Sequence, residues 1–277
     1  METALLFIMI LIIILIILVI VVVNQNKIPE SVCAPEQCLN TETNSKDKLN
    51  PKRMAPFTAI IIEPRKHKAL EFVLNNFLRN LDQKWDFIIF HGVDNEDYLN
   101  EIVKRMPQEY QDRISMKNLN IKNLSIDEYS QLLVSEDFNE SIPTEMFLIF
   151  QTDSMICDNT DNYIEQFMKY DYVGAPWSDG VIGNGGLSLR RKSKMLEIIR
   201  SCNYINDAED LFFCRKCPDT QMLTPDMEEA RLFSVETVMS DHTFGIHKPW
   251  LYLPSEMDKL QSICPGLNKL VALQSTD

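Results

Sequence analysis

Four short segments carry side chains whose types and spacing could do chemistry. In Phe147-Leu148-Ile149-Phe150-Gln151-Thr152-Asp153-Ser154 an apolar run opens onto one carboxylate. A carboxylate where a buried strand meets solvent can hold a hard divalent cation against phosphate oxygens. The same position also suits a turn residue that bonds its own backbone. In Gly183-Asn184-Gly185-Gly186-Leu187-Ser188-Leu189-Arg190 the clustered glycines either let backbone approach a ligand or simply join a strand to a helix. Glu209 and Asp210 set two acids at the start of an aromatic run, as a general base or as charges that suit a helix N-terminus. Finally, His242-Thr243-Phe244-Gly245-Ile246-His247-Lys248-Pro249-Trp250 gathers two of the four histidines beside a lysine. That set could supply an imidazole ligand and a cation for phosphate, although a single histidine is ordinarily structural. A fifth segment, Cys214-Arg215-Lys216-Cys217, has the spacing of a redox or zinc pair. The other close pair, Cys33 and Cys38, is far away in sequence, and the seven cysteines form no small disulfide framework.

The elements around these segments alternate. Phe57 to Ile62 reads as a strand, Lys66 to Leu81 as a helix and Trp85 to Phe90 as a second strand. A helix from Asn95 to Met106, a strand from Ile114 to Leu119, a helix opened by Ser125 with Glu128 as capping box and a strand from Met146 to Phe150 follow. Lys192 to Ser201 reads as a further helix. Such alternation predicts an α/β fold with a mainly parallel, doubly wound sheet flanked by helices. Ligands of such sheets sit beyond the carboxyl ends of the strands. Glu63-Pro64-Arg65, His91-Gly92 and Gln151-Thr152-Asp153 are therefore placed for binding.

From Ala4 to Val23 every residue is apolar, and twenty residues at 1.5 Å each span about 30 Å, a bilayer core. Glu2 before the run and Asn24 after it lack the marks of a cleaved signal peptide. Residues 1–23 are thus expected to be a single-pass membrane anchor, and residues 24–55, polar and proline-bearing, a stalk. Lys27 and the more distant Lys46, Lys48, Lys52 and Arg53 favour a cytosolic body by the positive-inside rule. The triplets Asn123-Leu124-Ser125 and Asn139-Glu140-Ser141 could be glycosylated only in a lumen, so the side of the membrane stays open. A net charge of −13 excludes a general electrostatic grip on nucleic acid.

Taken together and in order, several of these segments resemble glycosyltransferases of the GT-A fold. They are most similar to a glycosyltransferase-like family of large DNA viruses, fungi and bacteria. The carriers are Ile62-Glu63-Pro64-Arg65, Phe90-His91-Gly92-Val93-Asp94-Asn95, Phe150-Gln151-Thr152-Asp153-Ser154, Tyr172-Val173-Gly174-Ala175-Pro176-Trp177, Gly183 to Arg190, Glu209-Asp210 and Phe244 to Trp250. The resemblance implies a GT-A-like domain over residues 56–254, followed by a tail, 255–277. It implies transfer of a sugar from a nucleotide-diphosphate donor to a hydroxyl of a glycan, protein or lipid acceptor, with inversion and with Mn²⁺ or Mg²⁺. The metal-binding Asp-x-Asp element of that fold is matched by Gln151-Thr152-Asp153, so the first acid is an amide here. Asp153 would ligate metal together with His247 or, on the alignment with glycogenin-type transferases, His242. Lys248 would meet the diphosphate, and Asp210 with Glu209 would supply the base. Gly185, Gly186 and Trp177 would shape the acceptor side, while Glu63, Arg65, Asn95 and Gln151 would line the nucleotide.

Overall fold

The β-branched and aromatic run Phe57–Ile62 becomes β1, the spine of a six-stranded sheet, and it is buried nearly throughout because both of its faces are covered. In the computed structural model, which describes residues 55–157, 163–215, 217 and 220–274, β1 pairs in parallel with β2 (Trp85–His91) and β4 (Met146–Phe150). Strand β3 (Ile114–Asn118) extends the parallel set beyond β2. On the other side, β7 (Leu187–Arg191) runs antiparallel to β4 and β6 (Tyr172–Val173) antiparallel to β7, giving the order β3-β2-β1-β4-β7-β6. The expected mainly parallel α/β sheet is present, with its antiparallel strands confined to one side. A second sheet of three short strands, β5 (Ser154–Ile156), β9 (Gly245–His247) and β8 (Ser234–Val235), stands apart from it in the order β5-β9-β8.

The crossover helices largely follow the apolar periodicity. Helix α1 (Leu70–Asn80) starts four residues later than the pattern predicts. The reason is a hydrogen-bonded turn: Arg65 N donates to Glu63 Oε1, and Ala69 N donates to His67 Nδ1. These side chains draw the backbone away from a helical start. Helix α2 (Glu96–Arg105) joins β2 to β3, and α3 (Ile126–Leu133) opens with the predicted capping box between Ser125 and Glu128. Helix α4 (Lys192–Ser201) follows β7 within the predicted bounds.

The chain divides into residues 1–46 and 47–277. The expected membrane helix, and all but the last residue of the expected stalk, lie outside the described residues. Among those described, no helix is long and apolar enough to cross a membrane. At the other end, the expected boundary at residue 254 gives way. Helices α6 (Met257–Ile263) and α7 (Leu267–Gln274) pack Leu260, Leu267 and Leu270 into the core at 0% exposure. Each such leucine contributes about 1.5–3 kcal/mol of burial, so residues 257–274 belong to the domain. A disulfide between Cys157 and Cys264 fastens that segment to the end of β5. A second joins Cys202 to Cys217, which separates Cys217 from Cys214 and removes the redox or zinc pair that their spacing suggests.

Candidate active site

The small sheet assembles three residues that are far apart in sequence. Antiparallel pairing sets Ser154 opposite His247, so Asp153 arrives beside the end of β9, and Lys248 N donates to Asp153 O at 2.9 Å. Parallel pairing sets Val235 beside Ile246, and the next residue, Glu236, therefore falls beside His247. The imidazole lies between the two carboxylates: Nε2 is 3.3 Å from Asp153 Oδ1 and Nδ1 is 3.1 Å from Glu236 Oε1. His247 and Glu236 are buried, whereas the Asp153 side chain is 25% exposed and opens the group to solvent.

The electrostatics are those of a mutually charged cluster. Burial pushes the His247 pKa down, but the carboxylate of Asp153, aided by Glu236, outweighs it and the pKa is raised. Burial pushes Asp153 up, and His247 with Lys248 outweighs that, so its carboxyl is held below the usual range. Despite these short distances, Asp153 Oδ1 and both ring nitrogens of His247 lack hydrogen-bond geometry, and all three are buried. Buried polar atoms without partners are rare and point to a missing one. Oδ1 and Nε2, 3.3 Å apart, are spaced as neighbouring ligands of one cation with bonds of about 2.1 Å. Gly186 keeps that corner open, because a Cβ there would lie 2.1 Å from His247 Nε2. These residues fit a divalent metal with two protein ligands, the remainder coming from substrate or water. Among the described residues no group of three or more acidic, histidine or cysteine side chains gathers as a complete protein cage.

A cleft of about 370 Å³ opens at the carboxyl ends of β1 and β4, lined among others by Glu63, Arg65, Gln151, Asp153 and Lys248. Five of the residues singled out in the sequence thus share one wall. Arg65 is held by a bidentate pair to Glu63, Nε to Oε1 at 2.8 Å and a terminal nitrogen to Oε2 at 2.9 Å, with its side chain still 58% exposed. Lys248 takes a left-handed backbone, φ 37°, and its Nζ lies 3.9 Å from Glu236 Oε1. A non-glycine residue held there is strained and must be over-determined by its surroundings.

Other expected residues fall elsewhere. Asn95 is fully buried; its amide donates to the carbonyls of Glu63 and Arg65, and its oxygen accepts from Gly92 N. It shapes the cleft's loop and leaves no donor for a nucleotide. His242 is exposed near Asp241, and of the two histidines it is His247 that lies 3.3 Å from the Asp153 carboxylate. Glu209 lies in a buried pair with Arg190, 3.0 Å apart, and Arg190 also donates to Ser188 Oγ and Tyr172 OH. Burial raises the Glu209 pKa against the pull of Arg190. Gly185 packs on this carboxylate, with a Cβ there lying 2.1 Å from Glu209 Oε1, so Gly185 and Gly186 serve protein side chains on their open faces. Asp210 is the more accessible acid of the two, at the start of α5 (Glu209–Arg215), and accepts from Gly185 N at 3.2 Å and Leu211 N at 2.8 Å. Of the two glycosylation triplets, Asn123 is exposed, whereas Asn139 is buried with its amide bonded to Leu133 O and Ser135 O.

Glu236 is the member of this cluster that the sequence reading missed. Its one signal is a lone acid inside Leu232-Phe233-Ser234-Val235-Glu236-Thr237-Val238-Met239, an otherwise apolar and hydroxylic run.

A family model described as "Protein of unknown function (DUF5672)" matches residues 113–247. No curated protein matches the chain. Among solved structures, the galactosyltransferase LgtC in complex with donor and acceptor sugar analogues is similar at 12% identity, over 79% of this chain and 97% of that one, with a TM-score of 0.47. The glycosyltransferase GlyE of Streptococcus pneumoniae TIGR4 is similar at 8% identity, over 79% and 60%, with a TM-score of 0.48. The mannosyltransferase PcManGT from Pyrobaculum calidifontis, in complex with GDP-Man and Mn²⁺, is similar at 13% identity, over 58% and 51%, with a TM-score of 0.39.

Proposed function

We propose that this chain is a membrane-anchored glycosyltransferase that moves a sugar from a nucleoside-diphosphate donor to a hydroxyl acceptor with inversion. The observation that carries the reading is the pair Asp153 and His247, whose buried atoms lack partners at the edge of a cleft that also presents Lys248 and Arg65. Asp153 Oδ1 and His247 Nε2 would hold Mn²⁺ or Mg²⁺, which when bound supplies Lewis-acid neutralisation of a diphosphate. Lys248 adds a compact positive charge at the cleft wall and stabilises the charge that develops on the leaving diphosphate. Arg65, oriented by Glu63, offers its exposed face to the nucleotide, and Gln151 replaces a negative ligand with an amide. Asp210, rather than the buried Glu209, takes the proton of the acceptor hydroxyl. Glu209 instead keeps Arg190 neutralised beneath the glycine segment.

The anchor follows from the apolar run Ala4 to Val23. Two disulfides in the body favour an oxidising compartment over the cytosolic side that the lysines alone suggest. In that compartment Asn123 is the triplet open to modification.

Release of nucleoside diphosphate by the detergent-solubilised full chain, across a donor panel with and without Mn²⁺, tests the reading. Metal-dependent release that Asp153→Ala removes is the expected result. Asp210→Asn is expected to lose turnover and to keep donor binding. Donor binding by calorimetry with no release from any donor would instead support a non-catalytic sugar-nucleotide-binding protein, the reading that Gln151 in place of an acid favours.

A further inference from the structure

Glu236 has no place in the chemistry assigned above, yet it is one of the most enclosed carboxylates in the molecule, 2% exposed. Such a group is costly to bury unless each oxygen is used. One oxygen, Oε2, accepts from Asn184 Nδ2 at 2.8 Å, and Asn184 Oδ1 in turn accepts from Gly186 N at 3.0 Å. The other, Oε1, is 3.1 Å from His247 Nδ1 and 3.9 Å from Lys248 Nζ. The adjoining residue is fixed as well, since Thr237 Oγ1 donates to Pro176 O at 3.1 Å. A hydrogen-bonded chain therefore runs from the glycine segment through Asn184 to Glu236, and Oε1 then lies close to Nδ1 of the imidazole that faces Asp153, outside hydrogen-bond geometry.

We propose that Glu236 is the positioning residue of this site: its carboxylate, the nearer of the two to the His247 ring at 3.1 Å from Nδ1, draws the ring proton to that nitrogen and thereby leaves the Nε2 lone pair for a divalent cation shared with Asp153. A ligating imidazole needs one nitrogen free of its proton, and the acceptor at the other nitrogen decides which one. Two carboxylates compete for that proton. Glu236 is the nearer, 3.1 Å against 3.3 Å, and the more buried, 3% against 25% of side-chain exposure, so its charge is less screened by water. The proton therefore stays on Nδ1. Asn184 fixes Glu236 from behind, which couples the glycine segment to the ligand's orientation.

The inference rests on the reading of Asp153 and His247 as metal ligands, and two measurements on the detergent-solubilised full chain separate them. The first is Mn²⁺ affinity by calorimetry in the presence of a nucleoside diphosphate, for the unmodified chain, Glu236→Gln, Glu236→Ala and Asp153→Ala. Glu236→Gln is expected to weaken Mn²⁺ about 10-fold and Glu236→Ala up to about 100-fold, the range for outer-shell partners of a ligating histidine. The second is the ¹⁵N spectrum of the His247 ring without metal, above its pKa. It is expected to show the Nδ1–H form in the unmodified chain and a shift towards Nε2–H in Glu236→Gln, with the proton now facing Asp153. A merely structural carboxylate would alter unfolding but not the tautomer. Tight Mn²⁺ binding that Asp153→Ala removes and Glu236→Gln leaves unchanged overturns the role of Glu236 alone. Absence of Mn²⁺ binding in the unmodified chain overturns the metal reading and this inference with it.

Discussion

Two charged clusters lie on either side of the glycine segment, and they differ in how fully their polar atoms are used. Beneath Gly185, Arg190 donates to Ser188, Tyr172 and Glu209, and its aromatic neighbours Tyr172 and Phe213 cover the guanidinium at 4.9 and 5.5 Å. Beside Gly186, His247 and Asp153 sit within 3.3 Å without hydrogen-bond geometry, and Asp153 reaches solvent. The first cluster is sealed from solvent and keeps one atom without hydrogen-bond geometry, Glu209 Oε2, which lies 3.0 Å from Arg190. The second is incomplete, which is the condition for binding something else. Adjacent glycines thus separate a cluster sealed from solvent from one that opens to it through Asp153.

The largest effect is expected where the closed cluster is opened. Arg190→Met leaves Glu209 buried without a partner and should destabilise the chain by about 3–5 kcal/mol, read from denaturant unfolding. If the loss is below 1 kcal/mol, the two clusters do not differ as described. Gly186→Ala comes next: its methyl would lie 2.1 Å from His247 Nε2 and must displace the ring. Overpacking of this kind costs about 1–3 kcal/mol, and Mn²⁺ binding should fall with it, whereas Gly180→Ala at an open loop position should leave metal binding intact.

A smaller effect sharpens the contrast through pH. The His247 pKa is raised above 6.5 in the folded chain, so its contribution to stability is complete below that value and is lost as pH rises through the folded pKa. The Asp153 pKa is lowered below 3.8, so its contribution is present above that value and is lost as pH falls through the folded pKa. Metal-free protein should therefore lose part of its denaturant midpoint as pH rises above 6.5 through the folded pKa, and His247→Gln should flatten that limb. The smallest change in stability is expected at Lys248, whose φ of 37° glycine tolerates. Lys248→Gly should alter stability by less than about 1 kcal/mol, because relief of strain offsets the added freedom of the unfolded chain. Calorimetry should nevertheless show weaker nucleoside-diphosphate binding, and unchanged affinity would remove Lys248 from the site.

Much of the fold was legible because it depends on local periodicity. The apolar run of β1 and the Ser125–Glu128 box lie at the predicted residues, since strand burial and capping are encoded within a few positions. Helix α1 started late because the contacts of Glu63 and His67 compete with the helix, and a hydrophobic pattern does not register them. The final helices look like a tail in sequence because Leu260 and Leu267 find their partners only across the molecule.

The site divides in the same way. Sequence by itself placed Asp153 at the end of a buried strand, collected His247 and Lys248 in one segment and marked the glycines, because each of these is a short-range pattern. Tertiary structure alone chose His247 over His242, closed Glu209 into a pair with Arg190, buried Asn95 and brought in Glu236. The choice of His247 and the arrival of Glu236 depend on the pairing of β5, β9 and β8, which joins segments about 80 residues apart or more for Asp153 and its partners. Burial then decides which charges must neutralise one another and which remain available, and burial is a property of the folded chain.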